Sequence, residues 1–168
     1  MSINARYAGA SNDSFIWRQS RVQQEMRRGY VQRERNTWLV GDSGYPQQPC
    51  LMTPILNAPP NSPEARYTEA HVRARNPIER CNGILKNRFR CIMGERKLRY
   101  SPQNAGIIIT ACAVLHNICV DGRMDPPENI LVPDMEMDMP NGMVGNNNND
   151  VLNIGRQVRR RIIMNYFN

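Results

Sequence analysis

The sequence predicts an α/β domain in which helices pack on a short sheet. Three observations carry that expectation. Residues 37–41, TWLVG, form a run apolar enough for a strand buried on both faces. Helical spacing of apolar residues stands on either side of it, and one further stretch, AGIIITACAVLHNICV at 105–120, is apolar on nearly every side. The chain has 168 residues, enough for one domain with a core and little more.

Taken in order, Asn12-Asp13-Ser14 offers helix caps ahead of FIWRQSRVQQEMRRGY. Phe15, Val22 and Met26 lie near helical spacing there, with arginines between, so an amphipathic helix is expected over 14–28. The strand at Thr37–Gly41 follows. Six prolines between 46 and 63 make the next segment an ordered loop. A helical pattern then starts at Ser62-Pro63, and Pro77 either kinks it or opens a new helix capped by Asn76. Ile78, Cys81, Leu85, Phe89 and Ile92 fall on one stripe, expected to be buried. After a turn around Gly94 and Pro102, residues 105–120 read as a fully buried helix. The expected layout is a folded body over 1–120, a disordered acidic linker over 121–150, and a basic C-terminal tail over 151–168 able to form a small helix.

Charge follows that division. Residues 1–120 hold 17 Lys and Arg against 8 Asp and Glu; residues 121–150 hold 1 against 7; residues 151–168 hold 4 against none. The excess is mostly arginine, whose planar fork suits phosphate, so the basic body fits either a polyanion such as nucleic acid or a solubilising surface. No apolar run approaches the roughly 18–20 residues needed to span a bilayer, and the N-terminus has no signal-like pattern. Five cysteines without a CxxC pair suit reduced thiols in a nuclear or cytosolic setting, and structural zinc is not expected.

Two carboxylates hold the chemistry. Glu79, Gly83, Lys86 and Arg90 recur at i, i+4, i+7 and i+11, so one acid, one gap and two cations share a helix face. That face can meet a ligand, with Lys86, Arg88 and Arg90 toward phosphates; equally, it can be a solvated face on which Glu79 closes a capping box with Asn76. Asp42 ends the strand on a glycine-flanked bend, where an acid commonly bonds neighbouring amides as a turn former. Together, an acid at a strand end and one on a later helix suit Mg²⁺ held by a few carboxylates, water and phosphate oxygens. Two such ions about 4 Å apart can activate water and steady a leaving oxygen, chemistry that normally asks for three carboxylates.

WLVGDSGYP, LMTP, the E…Y…H…R series, IERCNGILKNRFRC and ITACAVLHNI resemble, in order, the PIF/Harbinger transposases and their domesticated nuclease descendants. The resemblance runs from about Ala8 to Ile118, with AGASNDSFIW similar to the family's PGS-x-x-D-S segment. It implies a DDE-superfamily catalytic core of RNase H-like fold. Asp42 is similar to the second acid of the triad and Glu79 to the third, both as metal ligands, with Arg80, Lys86, Arg88 and Arg90 on the DNA backbone. A divalent cation, Mg²⁺ or Mn²⁺, is the implied cofactor. DNA is the implied substrate, and a separate Myb/SANT-like protein the implied partner, in the nucleus and also the cytoplasm. No membrane and no small-molecule cofactor are expected.

The departures define the alternative. The first family acid lies upstream of what the chain contains, so the core is expected to be N-terminally incomplete, beginning near the third strand. Asp13 matches a different family acid and is not counted in the triad. Asn82 and Asn12 stand where an aromatic and a histidine are usual. Two acids without a third favour a second reading, a non-catalytic module binding DNA or protein. Among smaller candidates, His116 is expected either near the site or as a satisfied core histidine. Cys112 and Cys119 are expected as small apolar packing, Trp17 and Trp38 as core aromatics, and Arg159-Arg160-Arg161 as an import signal or phosphate contact.

Overall fold

Ser20 decides the start of the fold. Its hydroxyl donates to the Trp17 carbonyl and accepts from the Gln23 amide, closing one helix and capping the next. The expected helix over 14–28 is therefore two, α1 (Asp13–Arg18) and α2 (Arg21–Val31). The computed structural model describes residues 3–7, 11–34, 36–93, 100–127 and 149–168. Gly94 and most of the expected acidic linker lie outside the described residues.

The expected strand is β1 (Leu39–Val40), paired in parallel with β2 (Leu51–Met52) in the register Leu39 to Leu51 and Val40 to Met52. The expected burial on both faces fails for β1, where Leu39 is half-buried and Val40 exposed because nothing among the described residues covers that side, and β2, inside the segment expected to be a loop, is the buried strand. Helix α3 (Pro63–Arg88) begins where Ser62 Oγ accepts from the Ala65 amide. It runs unbroken through Pro77. The carbonyl of Arg73 that loses its donor there belongs to an exposed residue, where water can replace it. A 3₁₀ turn (Arg90–Ile92) follows, then α4 (Pro102–Asp121), capped by Ser101 with Pro102 in its first turn, and α5 (Asn149–Tyr166). Helices with one short parallel sheet make an α/β arrangement.

The described residues gather into two compact units. One holds residues 12–76 with α5; the other holds residues up to 11 with the chain from Pro77. In the first, Trp17, Cys50 and Leu51 form a buried cluster, with Met26, Leu39 and Tyr45 packed against it. Trp17 donates its indole N–H to Gln48 Oε1 at 2.9 Å and meets Tyr45 edge-on. Helix α5 is part of this unit. Val158 and Ile163 are buried, and a Cβ on Gly155 would lie 2.8 Å from the Gln48 carbonyl carbon, an approach only glycine permits.

Gln47 stitches that seam. Its Oε1 accepts from the Thr53 amide and hydroxyl at 3.0 Å each, and its Nε2 donates to the Gly155 carbonyl at 3.1 Å. Arg159 Nη1 donates to the Thr53 and Pro54 carbonyls, so the first arginine of the 159–161 run is engaged within the fold.

In the second unit two expectations are corrected. Only Leu85 of the predicted stripe is buried, and Ile78 is half exposed. Helix α4 buries Cys112, Ala113 and His116, while Ile107, Val114, Ile118 and Val120 face outward. Helical periodicity groups apolar residues on a face, but burial needs a second element to cover it. At 20 residues, α4 is long and apolar enough to cross a membrane by length and composition, which the reading of apolar runs did not anticipate.

Candidate active site

Asp42 leaves β1 directly into a turn. Its Oδ1 accepts from the Gly44 amide at 2.9 Å and its carbonyl accepts from the Tyr45 amide at 3.3 Å, so it does form the turn that its neighbours suggest. Gly41 leaves room at that bend: a Cβ there would stand 3.1–3.2 Å from Tyr45 and Leu51 side-chain atoms, tighter than ordinary contact. The other oxygen, Oδ2, lies 3.6 Å from Arg75 Nη2 on α3, with the carboxylate 38 % exposed.

A second carboxylate approaches from α1. Asn12 caps that helix by accepting from the Ser14 amide at 2.8 Å, which sets Asp13 in the first turn. A Cβ on Gly44 would lie 3.1 Å from Asp13 Oδ2 and 3.2 Å from Asp42 Oδ1, so both acids crowd the same small space. Burial, and then the Asp42 charge, raise the Asp13 pKa above the ordinary carboxylate value, and Arg75 opposes the shift. Tyr45 beside them is raised by burial and by the same two charges. His71, one turn before Arg75 on α3, is buried with Nε2 donating to the Met52 carbonyl at 3.2 Å, and burial lowers its pKa.

Sequence reasoning left Asp13 out of the site. The signal was present in its cap sequence and in the family segment it matches. What was missing was its distance to Asp42, 29 positions along the chain, which only folding supplies.

The other predicted residues belong to the second unit. Glu79 is half-buried on α3, Arg80 and Lys86 are exposed on the same helix, and Arg90 is exposed on the 3₁₀ turn. Arg90 therefore does not extend the Glu79–Lys86 face: α3 ends at Arg88, and Phe89 leaves the helical conformation. Arg88 is half-buried, with Nη2 donating to the Met124 and Asp125 carbonyls at 3.4 and 3.0 Å. His116 is 2 % exposed with Nε2 3.8 Å from Cys81 Sγ; burial and then the charge of Arg88 lower its pKa. It sits in the α4 core, as one of its two expected roles required. Its Nδ1 makes no hydrogen bond, so it is not fully satisfied there.

The model of the DDE superfamily endonuclease family matches residues 1–117, and the chain belongs to that family. It is 36 % identical over 126 residues to "Putative nuclease HARBI1" of Homo sapiens, covering 74 % of this chain and 35 % of that protein, with the same figures for the Bos taurus protein. It is also 27 % identical over 133 residues to "Protein ALP1-like" of Arabidopsis thaliana, covering 72 % of this chain and 32 % of that one. The chain thus spans about a third of the length of these curated relatives. No solved structure matches it significantly. The family implies a nucleic-acid substrate and generally uses divalent metal ions.

The Asp13–Asp42 pair fits such an ion. Two hard oxygen donors converge beside Gly44, and a cation between them would offset the burial and the repulsion that raise the Asp13 pKa. Among the described residues no group of three or more His, Cys, Asp or Glu is arranged to hold a metal, so these units offer carboxylates in ones and twos. Mg²⁺ accepts that number, completing its shell with water and phosphate oxygens.

Proposed function

We propose that the chain is the part of a metal-dependent DNA nuclease that carries the second and third acids, Asp42 and Glu79, of an RNase H-like catalytic core. The observation that supports this most is the placement of Asp42 at a strand end, held by the Gly44 amide and facing the Asp13 carboxylate. A bound Mg²⁺ or Mn²⁺ would lower the pKa of a bound water and supply positive charge against the scissile phosphate. Asp42, with Asp13 beside it, would be a ligand, and the family resemblance gives Glu79 the same role. Arg75 neutralises Asp42 until a cation takes that place. Arg80, Lys86 and Arg90, all exposed, would contact the DNA backbone, while Arg88 has Nη2 committed to main-chain carbonyls.

The same family reading supports action in the nucleus, and also the cytoplasm, beside a Myb/SANT-like protein that supplies sequence recognition. The surplus of Lys and Arg in residues 1–120 supports the DNA partner. The test is nicking of supercoiled DNA by a form as long as the relatives, with Mg²⁺ or Mn²⁺. Asp42→Asn and Glu79→Gln should each lower the rate about a hundredfold or more with circular dichroism unchanged. Variants that cut like the parent would overturn the assignment of these acids, and cutting that survives EDTA would overturn the metal.

A further inference from the structure

Cys91 and Cys112 lie 21 positions apart, and their sulfurs are 3.9 Å apart. Cys112 sits on α4 and is buried; Cys91 sits on the 3₁₀ turn Arg90–Ile92 and is exposed. The turn has three residues and no buried side chain, so little packing resists its movement. A disulfide needs the sulfurs at about 2.05 Å, a closure of roughly 2 Å from the reduced geometry. We propose that Cys91 and Cys112 are an oxidation site, forming a reversible intramolecular disulfide in response to peroxide.

The asymmetry of exposure assigns the roles. The exposed Cys91 thiolate attacks hydrogen peroxide, the O–O bond breaks, and a Cys91 sulfenic acid and hydroxide form. Hydroxide takes the proton released by the thiol and leaves as water. The Cys112 sulfur then attacks the Cys91 sulfur, the S–O bond breaks, and the departing hydroxide takes the Cys112 proton as a second water. Two thiols are oxidised and one peroxide is reduced. A dithiol reverses the bond by exchange. Burial, and the neighbouring Cys91 thiol, raise the Cys112 pKa, which keeps Cys112 protonated and leaves the first attack to Cys91. Cys50 lies in the core cluster of the other unit, and Cys81 faces His116, so neither competes for Cys91.

The closed bond would tie the turn that carries Arg90 to α4. This inference rests on the two sulfurs alone and stands whether or not the nuclease reading does.

The experiment uses the full chain, reduced, treated with stoichiometric hydrogen peroxide, blocked with iodoacetamide and mapped by mass spectrometry without reduction. The expected product is the tryptic peptide 91–96 joined to peptide 100–123, lighter by two hydrogens than the two peptides combined and separated again by dithiothreitol. Peptide 100–123 also holds Cys119, so variants assign the bond. Cys91→Ser, at an exposed position, and Cys112→Ala should abolish the link, and Cys119→Ser should retain it. A link that persists in Cys112→Ala, over-oxidation of Cys91 without any link, or a disulfide joining two chains through Cys91 would each overturn the proposal.

Discussion

Replacing Gln47 with methionine removes a hydrogen-bonding hub while nearly keeping its shape. Gln47 Oε1 is the acceptor for the buried Thr53 amide, and its Nε2 reaches the Gly155 carbonyl of α5. In Gln47→Met the Thr53 N–H is buried without an acceptor, which costs about 1–3 kcal/mol. The lost bonds to the Thr53 hydroxyl and Gly155 carbonyl add roughly 0.5–1 kcal/mol each, moderated because the hydroxyl can turn and Arg159 still donates to its oxygen. The expected loss is therefore about 2–4 kcal/mol. Gln47→Ala should lose roughly 2 kcal/mol more through the cavity it leaves. Urea unfolding followed by tryptophan fluorescence is the assay, because Trp17 and Trp38 both lie in the unit that Gln47 joins to α5. A Gln47→Met protein within about 0.5 kcal/mol of the parent, the range of an ordinary surface change, would refute the claim that this side chain joins α5 to the segment at Thr53.

Two pH experiments probe the same unit. The folded pKa of Asp13 is raised, so its favourable contribution is complete below the unfolded value near 3.8 and is lost as pH rises through the folded pKa. Asp13→Asn should therefore be more stable than the parent in urea at pH 7, with the gain vanishing as pH falls toward 4; a gain independent of pH would remove the buried, repelled Asp13 carboxylate from the account. His71 has the opposite assignment among bases: its folded pKa is lowered, so the unfolded chain binds the proton first and stability declines as pH falls below the ordinary value of 6.5 toward the folded pKa. In His71→Gln the fluorescence-detected midpoint should lose that decline, and an unchanged profile would show that His71 is not the group titrating.

The residues differ in how far along the chain their partners lie, and that distance separates what was legible from what was not. Asn12 and Ser62 announce helix starts because each bonds an amide two or three positions on; Ser20 and Ser101 make the same local bond, but the apolar spacing over 14–28 masked the break at Ser20, and Ser101 was not read as a cap. Asp42 declares its turn for the same reason, with Gly44 two positions away. GDSGYP and the helix motif after it carried family membership, since those local chemistries persist as text. Burial was less legible. The stripes on α3 and α4 are real periodicities, yet Ile78 and Ile107 are exposed because the pattern of one helix does not say what covers it.

What the sequence determined by itself, then, were the helix starts at Asn12 and Ser62, the strand end, the Asp42 turn and the family. Tertiary structure alone decided that Asp13 meets Asp42, that Arg75 balances them, that Arg159 is engaged by Thr53, and that Gly155 lets α5 close on the backbone of Gln47 and Gln48. The physical reason is one of range. Caps and turns are hydrogen bonds within a few residues, whereas a shifted carboxylate pKa or a buried seam depends on chain brought near only by folding.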